Sequence, residues 1–254
     1  MAEPTFLQAV PILVYHRFAD RAVDSMSIRR SLFAAHLETI HRLGAQVIPL
    51  SDWVAYRRGE LKQLPARALV LTVDDGHLSQ YQVMAPLLQE ASQRTGAAWP
   101  ITLFIYPSAI SKASYAMSWA QLRELSRQPG FSLQSHSYWH PNFVQERRRL
   151  DPAAFDRFAR QQLQRSRGVL QDKLGTAVTQ LAWPFGLSDA GLHALAEELG
   201  YHAAFGLSNR AATLQSPQFD APRYLTLDSV SERALAVWLK QAFQASQIDQ
   251  EKPT

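Results

Sequence analysis

The chain contains no cysteine. That excludes disulfides, thiolate metal sites, cysteine nucleophiles and iron–sulfur clusters, and it leaves the redox compartment open. No apolar run approaches the ~20 residues of a membrane span. The N-terminal Met1-Ala2-Glu3-Pro4-Thr5 has neither a basic n-region nor an apolar h-region, so no signal peptide is visible. A mature chain with an added start methionine would read the same way. Charge of one sign is also scarce: 26 Lys and Arg stand against 22 Asp and Glu, a net charge of +4. Nucleic-acid binding needs a concentrated basic stripe. The densest basic cluster, Arg147-Arg148-Arg149, lies beside Glu146 and Asp151 and reads as a solvated loop or helix start. We expect no nucleic-acid partner and no membrane span. Linkers, low-complexity tracts and long repeats are absent too, so nothing divides the chain.

What is present suits a large core. Of 254 residues, 46% are hydrophobic, and α/β barrels run to about 250 residues as one domain. Apolar runs at Pro11–Tyr15, Ala68–Val73, Ile101–Tyr106, Phe131–Leu133, Val178–Trp183, Ala203–Leu207 and Tyr224–Leu227 read as strands. Most lack strict alternation, as expected where both faces of a parallel sheet are covered. Between them lie helical patterns at Ser31–Leu43, Ser51–Arg58, Leu78–Ser92, Ser118–Arg127, Pro152–Leu174, Ser188–Leu199 and Val230–Ala245. Three Leu-Gly pairs, at Gly44, Gly175 and Gly200, punctuate helix ends. The polar stretch from Gln247 to Thr254 reads as a frayed end. Repeated strand–helix units favour a parallel α/β fold, either barrel or open sheet.

In such folds the chemistry sits at the C-terminal strand ends. One strand runs into Asp74-Asp75-Gly76. Adjacent carboxylates repel and invite a cation; because successive strand side chains point opposite ways, one can bind a metal while the other acts as a base. An ordinary turn with a helix cap is the bland alternative. A second strand runs into His136-Ser137-Tyr138-Trp139-His140-Pro141. The imidazoles, four apart, share one face of a turn or short helix, and neutral imidazole is a common zinc ligand. With eight histidines in the chain, a chance pair at this spacing is not rare. One carboxylate plus two imidazoles leaves coordination positions open, the composition of a catalytic metal site. A third strand runs into Trp183-Pro184-Phe185-Gly186, a tight loop that can present a backbone N–H or merely turn the chain. The first strand ends at His16, which alone reads as a structural histidine, as do His77, His193 and His202. His36 and His41 read as packing or surface residues.

Taken together these strand ends resemble the polysaccharide deacetylase family, carbohydrate esterase family 4 with its NodB-homology domain. The family's Thr-Phe-Asp-Asp-Gly motif stands here as Thr72-Val73-Asp74-Asp75-Gly76, its His-Ser/Thr-x-x-His-Pro motif as His136 to Pro141, and its Pro-Tyr-Gly loop as Pro184-Phe185-Gly186. The resemblance spans nearly the whole chain. It implies a distorted (β/α) barrel of about seven parallel strands, with residues 1–254 forming a single catalytic domain. It implies that Asp75, His136 and His140 hold a divalent ion, zinc first and cobalt or nickel next, that Asp74 is the general base, and that the Phe185 N–H binds an oxyanion. The family often places an arginine where Ala182 stands; Arg223, in Ala221-Pro222-Arg223-Tyr224, is a candidate for that role. Most members draw their general acid from a late Leu-x-His motif, yet the last histidine here is His202. The Val14-Tyr15-His16 segment instead resembles the poly-β-1,6-N-acetylglucosamine deacetylases of biofilm systems, which makes His16 the expected acid.

The resemblance therefore implies hydrolysis of acetamides on an N-acetylglucosamine polymer, with Trp183, Phe185, Tyr138 and Trp139 as candidate sugar platforms or core residues. Peptidoglycan, chitin oligomers, acetylated xylan, a small cyclic amide, or a non-catalytic carbohydrate-binding role are the alternatives. A polymeric substrate lies outside the inner membrane, so the expected location is periplasmic or secreted.

Overall fold

The computed structural model describes residues 8–248. Its strands are β1 (Ile12–Tyr15), β2 (Arg17–Ala19), β3 (Ser27–Arg29), β4 (Gln46–Val47), β5 (Ala68–Asp74), β6 (Ile101–Ile105), β7 (Phe131–Ser135), β8 (Gln180–Ala182), β9 (Ala203–Phe205) and β10 (Tyr224–Leu225). The helices are α1 (Arg30–Arg42), α2 (Leu50–Arg57), α3 (Ala85–Thr95), α4 (Trp119–Arg127), α5 (Phe143–Arg149), α6 (Pro152–Leu174), α7 (Ala190–Glu198) and α8 (Glu232–Ile248). All seven expected strands and all seven expected helices are present. The last six residues of the polar stretch 247–254 lie outside the described residues.

Seven parallel strands form a curled sheet in the order β10-β1-β5-β6-β7-β8-β9, with β4 pairing the start of β5 below β1. The two outer strands approach each other through a parallel bridge between Phe205 and Ala221. This is the distorted barrel that the resemblance implies, curled into a half-barrel with flanking helices.

The side-chain period of two sorts each strand between two cores. In β5, Leu69, Leu71 and Val73 join the helices outside, whereas Ala68 and Val70 join a second cluster within the curl. Phe104 and Phe205 lie in that second cluster, 5.8 Å apart, with Trp53 of α2 packed at a tilt 5.8 Å from Phe205. Trp53 is 1% exposed. Burying an aromatic of this size contributes about 3 kcal/mol relative to leaving it in water, so α2 is a plug and not a surface decoration. Continuing β5 by the same alternation puts Thr72 and then Asp74 on the inner face, above this apolar floor.

Three differences from the sequence reading have local causes. Arg147-Arg148-Arg149 ends α5 instead of opening a helix, and cations favour a helix C-terminus. The expected helix from Leu78 begins as a π-helical turn at Gln80–Met84 before α3; Gln80 is fully buried there, bonding the carbonyls of His16 and Asp74. Strands β2, β3 and β4 escaped detection because Arg, Ser and Gln interrupt them, so none is an apolar run.

Candidate active site

Asp74 closes β5, almost fully buried. Alternation would send Asp75 to the opposite face, but its φ of 82° turns it back toward the same mouth. Aspartate is among the few side chains that tolerate this left-handed region. The turn is tied down by its neighbours: Met117 N–H donates to Gly76 O and Leu78 N–H to Tyr115 O.

The two motif histidines follow β7 in an irregular loop, not in the turn or short helix that their spacing suggests. Ser137 and His140 both have positive φ, 63° and 66°, which curls the segment until the two rings meet edge to face at 4.6 Å. His136 Nδ1 lies 2.8 Å from Ala182 O. A carbonyl can only accept, so Nδ1 carries the proton and Nε2 keeps its lone pair. That Nε2 is 3.7 Å from Asp75 Oδ1, and His140 Nε2 is also 3.7 Å from Asp75 Oδ1. One ligand atom from each of Asp75, His136 and His140 lies within 4.8 Å of the others. Tetrahedral donors about 2.1 Å from a zinc-like ion sit about 3.4 Å apart, so the three fit one ion.

Arg223 occupies the centre of the barrel, fully buried. Its Nη1 and Nη2 each donate to an Asp74 oxygen at 2.8 Å, its Nε to Gly206 O at 3.2 Å, and its guanidinium lies 5.3 Å over the Phe104 ring. The candidate base-orienting arginine therefore does contact Asp74, from a strand remote in sequence. Ala182 leaves its own position to a backbone carbonyl that orients His136.

The electrostatics follow. Burial works to raise the Asp74 carboxyl, but the Arg223 charge and hydrogen bonds, with His136 and His16, overcome it and hold Asp74 at about 2. Burial lowers His136 to about 3, aided by His140 and Arg223 and opposed by Asp74. Burial likewise lowers His140. Both imidazoles are thus neutral at neutral pH, the form a metal ligand needs. Asp75 is raised, by burial first and by Asp74 as well, against the pull of His16 and Arg17. A cation among the three donors would relieve that cost.

His16 directly follows β1, half-buried, with Nδ1 buried and lacking a hydrogen-bond partner among the described residues. It is close enough to both carboxylates to shift them. Phe185 adopts φ 59° in a 3-10 turn, Pro184–Gly186, and its N–H has no partner among the described residues. Gly186 also has positive φ, and a Cβ there would fall 2.6 Å from Leu207 Cβ, so the turn admits no larger residue. The Phe185 ring packs on His140 at 4.7 Å and is 55% exposed.

Trp183 corrects an expectation. It is fully buried, its indole N–H donates to Phe219 O at 2.7 Å, and it packs against Phe143. It is a core residue and cannot stack on a sugar. Tyr138 has one face covered by Arg165 at 4.0 Å. Trp139, 44% exposed, remains available, and it lines an open cleft of about 670 Å³ with Asp75, His140, Phe185, Tyr106 and Tyr115. The two tyrosines, joined through their hydroxyls at 3.1 Å, escaped the sequence reading because they flank a loop with no motif. The other histidines are structural where buried: His36 bonds the Tyr15 hydroxyl and Val230 O, and His193 bonds Ser188.

A curled parallel α/β sheet with a carboxylate–diimidazole donor set at its C-terminal mouth defines a hydrolase-like scaffold with a metal-suited centre. A family model for polysaccharide deacetylase matches residues 62–204, more than half of the sequence, and the chain belongs to that family. It is 26% identical over 255 residues to a poly-β-1,6-N-acetyl-D-glucosamine N-deacetylase of Escherichia coli, covering 87% of this chain but 37% of that protein. The Staphylococcus aureus enzyme of the same name is 19% identical over 229 residues, covering 89% of this chain and 76% of that one. This chain thus spans little more than a third of the length of the Escherichia coli relative. Among solved structures, a Streptococcus pyogenes deacetylase in complex with acetate superposes with TM-score 0.78 at 20% identity, covering 91% of this chain and 98% of that one. IcaB from Ammonifex degensii gives 0.76 at 21% identity, covering 92% and 97%.

The buried pair generates a prediction. Arg223→Met leaves Asp74 uncompensated and should cost about 3–5 kcal/mol at neutral pH, whereas Arg223→Met with Asp74→Leu should recover most of that loss. Because Asp74 is lowered on folding from 3.8 to about 2, its stabilisation is complete above about pH 4 and disappears as pH falls through about 2. Urea unfolding at pH 7 and across pH 5 to 2 measures both effects. An Arg223→Met protein as stable as the parent would remove the pair from its central place.

Proposed function

We propose that the chain is a metal-dependent N-deacetylase of N-acetylglucosamine polymers, of the poly-β-1,6-linked type, releasing acetate and leaving a free amine. The observation that carries this reading is the convergence at one barrel mouth of an arginine-held carboxylate, Asp74, with the Asp75, His136 and His140 donor set. The names of the Escherichia coli and Staphylococcus aureus relatives support the polymer. The open cleft with exposed Trp139 and Phe185 suits a chain of sugar rings better than an enclosed small molecule. We take residues 1–254 as one catalytic domain and the location as periplasmic or secreted, where such polymers lie. No helix among the described residues is long and apolar enough to cross a membrane.

Asp75, His136 and His140 would hold the ion, zinc by preference for two imidazoles and a carboxylate, with cobalt or nickel as substitutes. When bound, a divalent ion supplies Lewis-acid polarisation of the acetamide carbonyl and acidifies water, which is what lets so weak a base as Asp74 serve. Asp74, ionised throughout the neutral range, accepts the proton of the attacking water. Arg223 keeps it from rotating away. The Phe185 N–H donates to the oxyanion as the carbonyl carbon becomes tetrahedral, a contact of a kind that contributes about 2.7–4 kcal/mol. His16 in its protonated form gives a proton to the departing nitrogen, since an amide anion is too basic to leave unassisted. Trp139 and Phe185 hold the sugar ring over the mouth.

Two predictions divide these roles. His136→Ala and His140→Ala should lose the divalent ion in metal analysis of the purified proteins. Asp74→Asn should keep most of the metal and lose acetate release, and Asp75→Asn should lose both. Near-normal turnover by Asp74→Asn would rule it out as the base, and full occupancy in either histidine variant would rule out that ligand.

The acid role is tested by changing the leaving group. His16→Ala should lower turnover on an amide by about 10²–10⁴-fold with metal content retained. An activated acetyl ester, which needs less proton assistance, should suffer much less. Equal losses on both substrates would contradict the assignment.

A further inference from the structure

The cleft beside the donor set carries a charge pattern that catalysis does not use. Its cationic lining residues are Arg17 and Lys112. Arg17 is partly engaged: its Nη1 pairs with Asp24 at 2.5 Å and its Nη2 is 4.0 Å from Asp75, while its Nε is buried without a hydrogen-bond partner among the described residues. Lys112 is exposed and forms no ion pair with any described residue. The loop that carries it is held in place. Lys112 N–H donates to Ala109 O, Ser111 N–H donates to Met117 O, and Met117 N–H in turn donates to Gly76 O, next to Asp75. The backbone of Lys112 is therefore braced at the rim of the cleft, with its ammonium within reach of a bound polymer.

A single exposed ammonium makes a weak anion site. Its field acts on other cations, and the reaction proposed above produces them. Each acetamide removed leaves an amine that takes up a proton. We propose that Lys112 is a specificity-determining residue that disfavours polymer stretches already carrying free amines, so that the enzyme acts on acetylated stretches and spaces its deacetylations apart. This inference rests on the deacetylase reading. Two unit charges about 7 Å apart in a water-filled cleft repel enough for roughly a threefold effect, and more where the walls exclude water. The effect should fade toward 1 M salt, where the screening length falls to about 3 Å.

The test uses two β-1,6-linked N-acetylglucosamine oligomers of equal length. One is fully acetylated, and the other has a free amine on the sugar next to the central acetamide. The readout is the ratio of their kcat/KM values for acetate release, at a pH where the amine is protonated. The wild-type protein should prefer the fully acetylated oligomer by roughly threefold or more at low salt, and by less at 1 M salt. Lys112→Gln should bring the ratio toward one, and Lys112→Glu should invert it. Thermal unfolding checks that both variants fold. The same ratio in all three proteins would overturn the inference while leaving the deacetylase reading intact. Acetate release from neither oligomer by the wild-type protein would overturn that reading itself.

Discussion

The buried pair of Asp74 and Arg223 is the contact on which both the fold and the site depend. Two charges withdrawn from water are costly, and only close, complete hydrogen bonding makes the arrangement tolerable. Here both carboxylate oxygens and the guanidinium nitrogens Nη1 and Nη2 are matched at 2.8 Å. The partners are 149 positions apart in sequence. One closes the long strand β5, and the other immediately precedes the last strand β10. Arg223 Nε also bonds Gly206 O just beyond β9, and Ser208 and Asn209 N–H both donate to Arg223 O. The same residue thus fastens the two edges of the curled sheet and keeps a carboxylate charged inside it. A hydrophobic pair would close the barrel at lower cost but would leave no charged carboxylate there.

Around that pair the backbone is strained in a pattern that follows the donors. Of six non-glycine residues with positive φ among the described residues, four are Asp75, Ser137, His140 and Phe185. Each such residue costs on the order of 1–3 kcal/mol and persists only where its surroundings hold it. The regular continuation of β5 would turn Asp75 away from Asp74, and a helical His136–His140 segment would aim both rings along one helix face. The left-handed residues break both regularities and bring three donors to one point. Stability supplied by the two apolar cores is what holds this geometry in the absence of any regular element.

Much of this was legible in the sequence because it depends on short-range rules. Asp74-Asp75-Gly76 and the spaced histidines stand at strand ends, where a parallel α/β fold exposes its chemistry. Every strand of the seven-membered sheet announced itself as an apolar run. Sequence reading faltered where the outcome depends on contacts between distant segments. Trp183 sits among candidate site residues in the chain, yet its indole finds Phe219 O and turns into the core. The link between Arg223 and Asp74 was only a candidate, since no local pattern specifies a bond across 149 positions. Tyr106 closes an expected strand but carried no site signal of its own, and Tyr115 and Lys112 belong to a loop without periodicity that backbone bonds to Gly76, Leu78 and Tyr138 bring to the cleft.

The central claim is that this mouth is a metal-dependent amide-hydrolysing site. Its most direct test is acetate release from poly-β-1,6-N-acetylglucosamine by the wild-type protein after chelation, and again after zinc, cobalt or nickel is returned. The account predicts that chelation abolishes release and that at least one of these ions restores it. Undiminished release by the chelated protein, or no release with any of the three ions bound, would contradict it.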